Sequence, residues 1–160
     1  MLRLEVSIPE DRSAAGVATL KEGGSTLAAG VAVASVAPKV AAKHGNPSRD
    51  PLRPWGDPPF GDYTFVAEGR TPEDALSEYG RDLLAFEPEG GAALDAESFG
   101  RIGLLVYAGP TGRDGCLRRT QGGIRIDAKL LRAILGRLEA GTELTLHLRA
   151  SGKEIGRAHV

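Results

Sequence analysis

With one cysteine in 160 residues the chain cannot close an internal disulfide, and nothing in its composition calls for an oxidising compartment. Net charge is nearly absent as well. Twenty basic residues against 21 acidic ones leave a formal charge of -1, so no global field draws the chain to nucleic acid or to anionic lipid. Long hydrophobic runs are missing. The longest, residues 28–37, is alanine and valine broken by Gly30 and Ser35, far short of the roughly 18 apolar residues of a bilayer span, so no membrane insertion is expected. The opening MLRLEVSIPEDR has no basic region leading into an apolar one, which predicts no secretory leader and a cytoplasmic location for the chain as written. Delivery outside the cytoplasm by machinery that needs no leader stays compatible with it. His44, His147 and His159 are too widely spaced to pair as metal ligands. The glycines at 109–115 lack the lysine and hydroxyl of a phosphate loop. No metal and no cofactor are expected.

What the chain has in quantity is glycine, 22 residues, and proline, 10 residues, a composition that demands many turns and hence many short strands. Its length suits one domain spanning 1–160. Leu2, Leu4, Val6 and Ile8 alternate with polar residues, the period of a strand with one buried face. Glu22-Gly23-Gly24-Ser25 lies between two apolar-flanked segments and predicts a hairpin, with Val31, Val33 and Val36 continuing the second strand. Residues 43–62 contain five prolines and three glycines; Trp55 within them predicts an ordered loop, because a solvated indole would leave a large apolar surface unburied. A strand follows from Tyr63. Thr71-Pro72-Glu73-Asp74 predicts a helix capped by Thr71, opened by Pro72 and stopped by Gly80. A turn is expected at 87–91, and 95–99 suit one helical turn. Residues 102–107 read as a strand buried on both faces. Asp127 is placed to cap a helix with the stripe Leu131, Ile134, Leu135 and Leu138, running to Gly141, before an alternating strand at Leu144, Leu146 and Leu148.

The stretch 102–138 organises the rest. An apolar strand runs into a glycine-rich loop carrying Arg113, Cys116, Arg118 and Arg119, then into Thr120-Gln121-Gly122-Gly123-Ile124-Arg125 and the capped helix. Thr120 to Arg125 resembles the Ser/Thr-His-Gly-Cys-Ile/Val-Arg signature of the L,D-transpeptidase (YkuD-type) catalytic domain. Pro58-Pro59-Phe60-Gly61-Asp62-Tyr63 resembles the Thr-Pro-x-Gly-x-Tyr/Phe segment of the same family. The resemblance implies a mainly β fold, a β-sandwich or barrel-like domain with two or three short helices. It also implies a cleft that accepts peptidoglycan stem peptides, with a cysteine nucleophile and a histidine base.

The chemistry has changed at three of the matching positions. Gly123 stands where the resemblance places the cysteine, Gln121 where it places the adjoining histidine, and Tyr107 of Val106-Tyr107-Ala108-Gly109 where it places the base. A phenol with a pKa of about 10 is a poor base for a thiol near neutrality. The first expectation is therefore an inactive domain that keeps its cleft as a stem-peptide-binding or regulatory surface. That surface would be formed by Tyr107, Gly109, Arg113, Arg118, Arg119, Thr120, Gln121, Gly122, Gly123 and Arg125, whose arginine forks suit carboxylates. A second is a peptidoglycan transpeptidase or carboxypeptidase that works through Cys116, with its pKa lowered by the neighbouring arginines. A third is an accessory or immunity-like subunit that binds a protein partner. On the first expectation Tyr107 and Gly123 face one cleft, and Gly123→Cys with Tyr107→His and Gln121→His rebuilds the reactive constellation.

Overall fold

Alternation at the start of the chain becomes the first strand. In the computed structural model, which describes residues 1–12, 14–101, 103–109, 119–120, 122–139 and 141–151, β1 spans Leu2–Pro9 with Leu2, Leu4, Val6 and Ile8 buried. The Gly23-Gly24 turn joins β2, Gly16–Glu22, to β3, Ser25–Val33. The helix α1, Pro38–Lys43, starts at a proline, which suits the first helical turn because its missing N–H has no helical partner there. Then come β4, Gly61–Arg70; α2, Leu76–Tyr79, entered through a 3₁₀ turn at Glu73–Ala75; β5, Asp82–Gly90; and α3, Ala92–Glu97. The chain continues with β6, Leu104–Tyr107; β7, Ile124–Ile126; α4, Ala128–Leu135; and β8, Leu144–Ser151.

These strands close a mixed barrel in the order β1-β2-β3-β7-β6-β5-β4-β8. The architecture is mainly β, but it is a barrel and not a sandwich. The reason lies in the two ends of the chain: β1 and β8 pair in parallel from Leu2↔Leu144 to Pro9↔Ser151, so the edges a sandwich would leave open are joined. A second parallel pair, β6 with β7 through Val106↔Ile124 and Tyr107↔Arg125, brings the two halves of the motif stretch side by side. Inward residues of the strands and the buried face of α4 form one core.

Several boundaries differ from expectation. Thr71 does not cap the following helix: its hydroxyl is buried without a hydrogen-bond partner among the described residues, and Pro72 is the capping residue of the 3₁₀ turn instead of the first helical one. The expected turn at 87–91 is strand as far as Gly90, because β4 continues to pair with β5 up to Asp62↔Gly90. Asp127 does cap α4, its carboxylate accepting from the N–H of Lys129 at 3.0 Å and Leu130 at 3.4 Å. The helix ends at Leu135 with Gly136 after it, not at Gly141. Leu138 still packs on the core from outside the helix. Leu130, Leu131 and Ile134 are its buried residues. Leu130→Ala or Ile134→Ala is expected to cost about 2 to 5 kcal/mol in urea denaturation. The half-buried Leu135 should cost distinctly less when cut back in the same way.

Candidate functional site

The loop between α1 and β4 is held by a polar side chain near its start. Asn46, 2% exposed, donates to the carbonyls of Asp50 and Pro54 and accepts from the Asp50 N–H. This holds Trp55 half-buried with a left-handed backbone, φ 68°, its ring stacked on His44 at 3.7 Å between centroids. Trp55 forms one wall of a cleft of about 360 Å³. The lining also includes Leu104, Leu105 and Tyr107 of β6, Gly122 and Gly123 before β7, Tyr79 of α2, and Arg101. Leu105 is 36% exposed, so β6 is buried on one face and opens into the cleft on the other.

Of the ten cleft residues expected from the sequence, Tyr107, Gly122 and Gly123 line this cavity. Tyr107 and Gly123 lie side by side in this lining, on the adjoining β6 and β7 segments, and do not face each other across the cleft. A Cβ built on Gly123 would lie 2.5 Å from the Leu105 carbonyl oxygen and 3.0 Å from Cε1 of Tyr107. No side chain fits at 123 on this backbone, so the proposed rebuilding through Gly123→Cys is blocked by packing before chemistry is considered.

Arg125 departs from expectation in a second way. It offers no fork to a ligand. Its side chain is wholly buried, Nη2 donates to Glu78 Oε1 at 2.6 Å, Nη1 to the Ala108 carbonyl at 3.1 Å, and Nε to the Arg119 carbonyl at 3.4 Å. Its guanidinium carbon sits 5.0 Å from the centre of the Tyr107 ring, which meets Tyr79 edge-on at 4.6 Å. Gly109, with φ 68°, gives way to it: a Cβ there would overlap Nη1 of Arg125. Thr120 is likewise structural. It is fully buried, its N–H and carbonyl bond Ser35 and Ala37, and its hydroxyl accepts from the Gly122 N–H. Arg119 is exposed. Arg113, Cys116, Arg118 and Gln121 lie outside the described residues.

Sequence reading missed Arg101. This residue, 9% exposed, donates from Nη1 to the carbonyls of Arg53 and Gly56, at 3.1 and 3.0 Å, and from Nη2 to that of Gly122 at 2.5 Å. It ties the Trp55 loop to Gly122. Burial pulls its pKa below the ordinary guanidinium value. A charged residue directly before an apolar strand was the available signal. Glu78 and Tyr79 were missed too, on a helix too short to show periodicity.

A second polar cluster lies on the outer barrel face. His147 Nδ1 meets Asp62 Oδ1 at 2.7 Å, its Nε2 meets Thr145 Oγ1 at 3.1 Å, and Arg149 Nη2 donates to the same Asp62 oxygen at 2.6 Å. The histidine is half-buried in this bridge between β8 and β4. Hydrogen bonds from Arg149, then His147, hold the Asp62 carboxyl below the usual range. Stability from this group is therefore fully present above the ordinary aspartate pKa and lost as the pH falls through the lowered folded value. Asp62→Asn should flatten that acid limb in a denaturation series run from neutral pH downward.

Fold and cleft together define a closed, mixed eight-stranded β-barrel whose cavity lies at the parallel β6–β7 pair. Among solved structures the chain is similar to Bdellovibrio bacteriovorus Bd1075, with a TM-score of 0.55 and 13% sequence identity over 91% of this chain and 46% of that one. It thus spans about half of that chain's length, and at this identity the likeness concerns the fold alone. The sequence matches no family model and no curated protein. No helix among the described residues is long and apolar enough to cross a membrane.

Proposed function

We propose that this is an L,D-transpeptidase-like, YkuD-type domain without catalysis, whose cleft serves as a binding or regulatory surface for peptidoglycan stem peptides. The observation that carries the reading is the state of position 123. Where the resemblance calls for a nucleophile, Gly123 has no room for a side chain, while the adjoining cleft of about 360 Å³ stays open and is walled by Trp55, Tyr79, Leu105 and Arg101. A pocket that keeps its volume and its apolar and aromatic walls but cannot accept the reacting atom is suited to hold a peptide without forming an acyl intermediate. The test is to incubate the protein with a tetrapeptide stem, follow both by intact mass spectrometry, and measure retention by equilibrium dialysis. Saturable retention with unmodified protein and intact peptide is the expected result. An acyl adduct mapped to Cys116 would overturn the reading in favour of an active thiol enzyme.

A further inference from the structure

The protein holds two buried arginines around the motif stretch, and their charges are met differently. Arg125 is neutralised by Glu78 at 2.6 Å. Arg101 is met by three backbone carbonyls and, among the described residues, by no carboxylate within ion-pair distance. The carboxylate that acts on it electrostatically, after the Tyr63 phenol, is Asp57, which is 5% exposed and already engaged, accepting from the Val36 N–H at 2.8 Å and lying 3.9 Å from Arg49 Nε. Carbonyl dipoles satisfy N–H groups but bring no net charge, so a buried guanidinium held this way keeps a positive charge that no carboxylate pairs among the described residues. That charge acts on the cleft, which Arg101 lines and which has no acid among its described lining residues. The surrounding surface is apolar and aromatic.

We propose that Arg101 is the anion anchor of the cleft: it takes a ligand that presents a carboxylate to the guanidinium and an apolar portion to Trp55, Tyr79 and Leu105. The inference rests on the reading of the cleft as a peptide site and assigns it a specificity-determining residue. It also gives a reason for the bonds that hold Arg101 to the 53–56 segment and to Gly122, which both contribute to the lining. A carboxylate bound there meets a guanidinium already fixed in orientation, so little further ordering opposes binding.

The experiment compares a tetrapeptide stem in its free-acid form with the fully amidated form, by calorimetry on the wild-type protein. Loss of the charge-assisted contact should weaken binding by about 10- to 100-fold. In Arg101→Gln the two forms should bind alike. If that variant fails to fold, the wild-type comparison still decides, since it changes only the ligand. Equal affinity of acid and amide for the wild type would overturn the anchor and leave the peptide-cleft reading standing. Binding of neither form would remove that reading and the anchor with it.

Discussion

Glu78→Ala should cost about 3 kcal/mol of folding stability, because it leaves the Arg125 guanidinium buried without a counter-charge. Arg125 is 0% exposed and Glu78 22% exposed as side chains, so the carboxylate can recover some hydration when unpaired and the guanidinium cannot. The effect should therefore be asymmetric. Adding Arg125→Met to Glu78→Ala should recover part of the loss, since the stranded charge is gone, even though the Ala108 and Arg119 carbonyls lose their donor. Urea midpoints of the two single variants and the double variant measure this. A Glu78→Ala change within about 0.5 kcal/mol of wild type would mean that the pair is solvated and that Arg125 does not hold the motif stretch in place.

The second large effect is at Gly123. Gly123→Ala should cost about 3 kcal/mol or prevent folding, since the added carbon would meet the Leu105 carbonyl at 2.5 Å and the Tyr107 ring at 3.0 Å, and a backbone oxygen cannot move aside as a side chain can. Gly24→Ala is the control: nothing lies within 4 Å of a Cβ there, and the change should stay within about 0.5 kcal/mol. By the same geometry, Gly123→Cys combined with Tyr107→His and Gln121→His should yield a destabilised protein and no stem-peptide adduct. A well-folded, reactive triple variant would show that the backbone at β6 and β7 yields, and that catalysis was lost by substitution alone.

The strands were legible wherever one face is buried, because alternation then follows directly from the pleat: β1 and β8 read correctly residue by residue. The Asp127 cap and the Gly23-Gly24 turn were legible because each rests on local chemistry. Barrel closure was not, since the parallel pairing of β1 with β8 joins residues more than a hundred positions apart and leaves no local signature. Of the candidate site, the contact between Tyr107 and Gly123 could be anticipated from the motif stretch. The role of Arg125 could not, because its partner Glu78 sits on a one-turn helix 47 residues away. Arg101 escaped for the same reason: its partners are backbone carbonyls, which no side-chain pattern announces.

Trp55 supplies the most direct test of the account, being the lone tryptophan of the chain and a wall of the cleft. Titrating a tetrapeptide stem while following tryptophan emission should give a saturable shift, as the ligand excludes water from the indole, with the peptide recovered intact after equilibrium. Emission that does not change at any peptide concentration, or a signal that relaxes as the peptide is consumed, would contradict a cleft that binds without reacting.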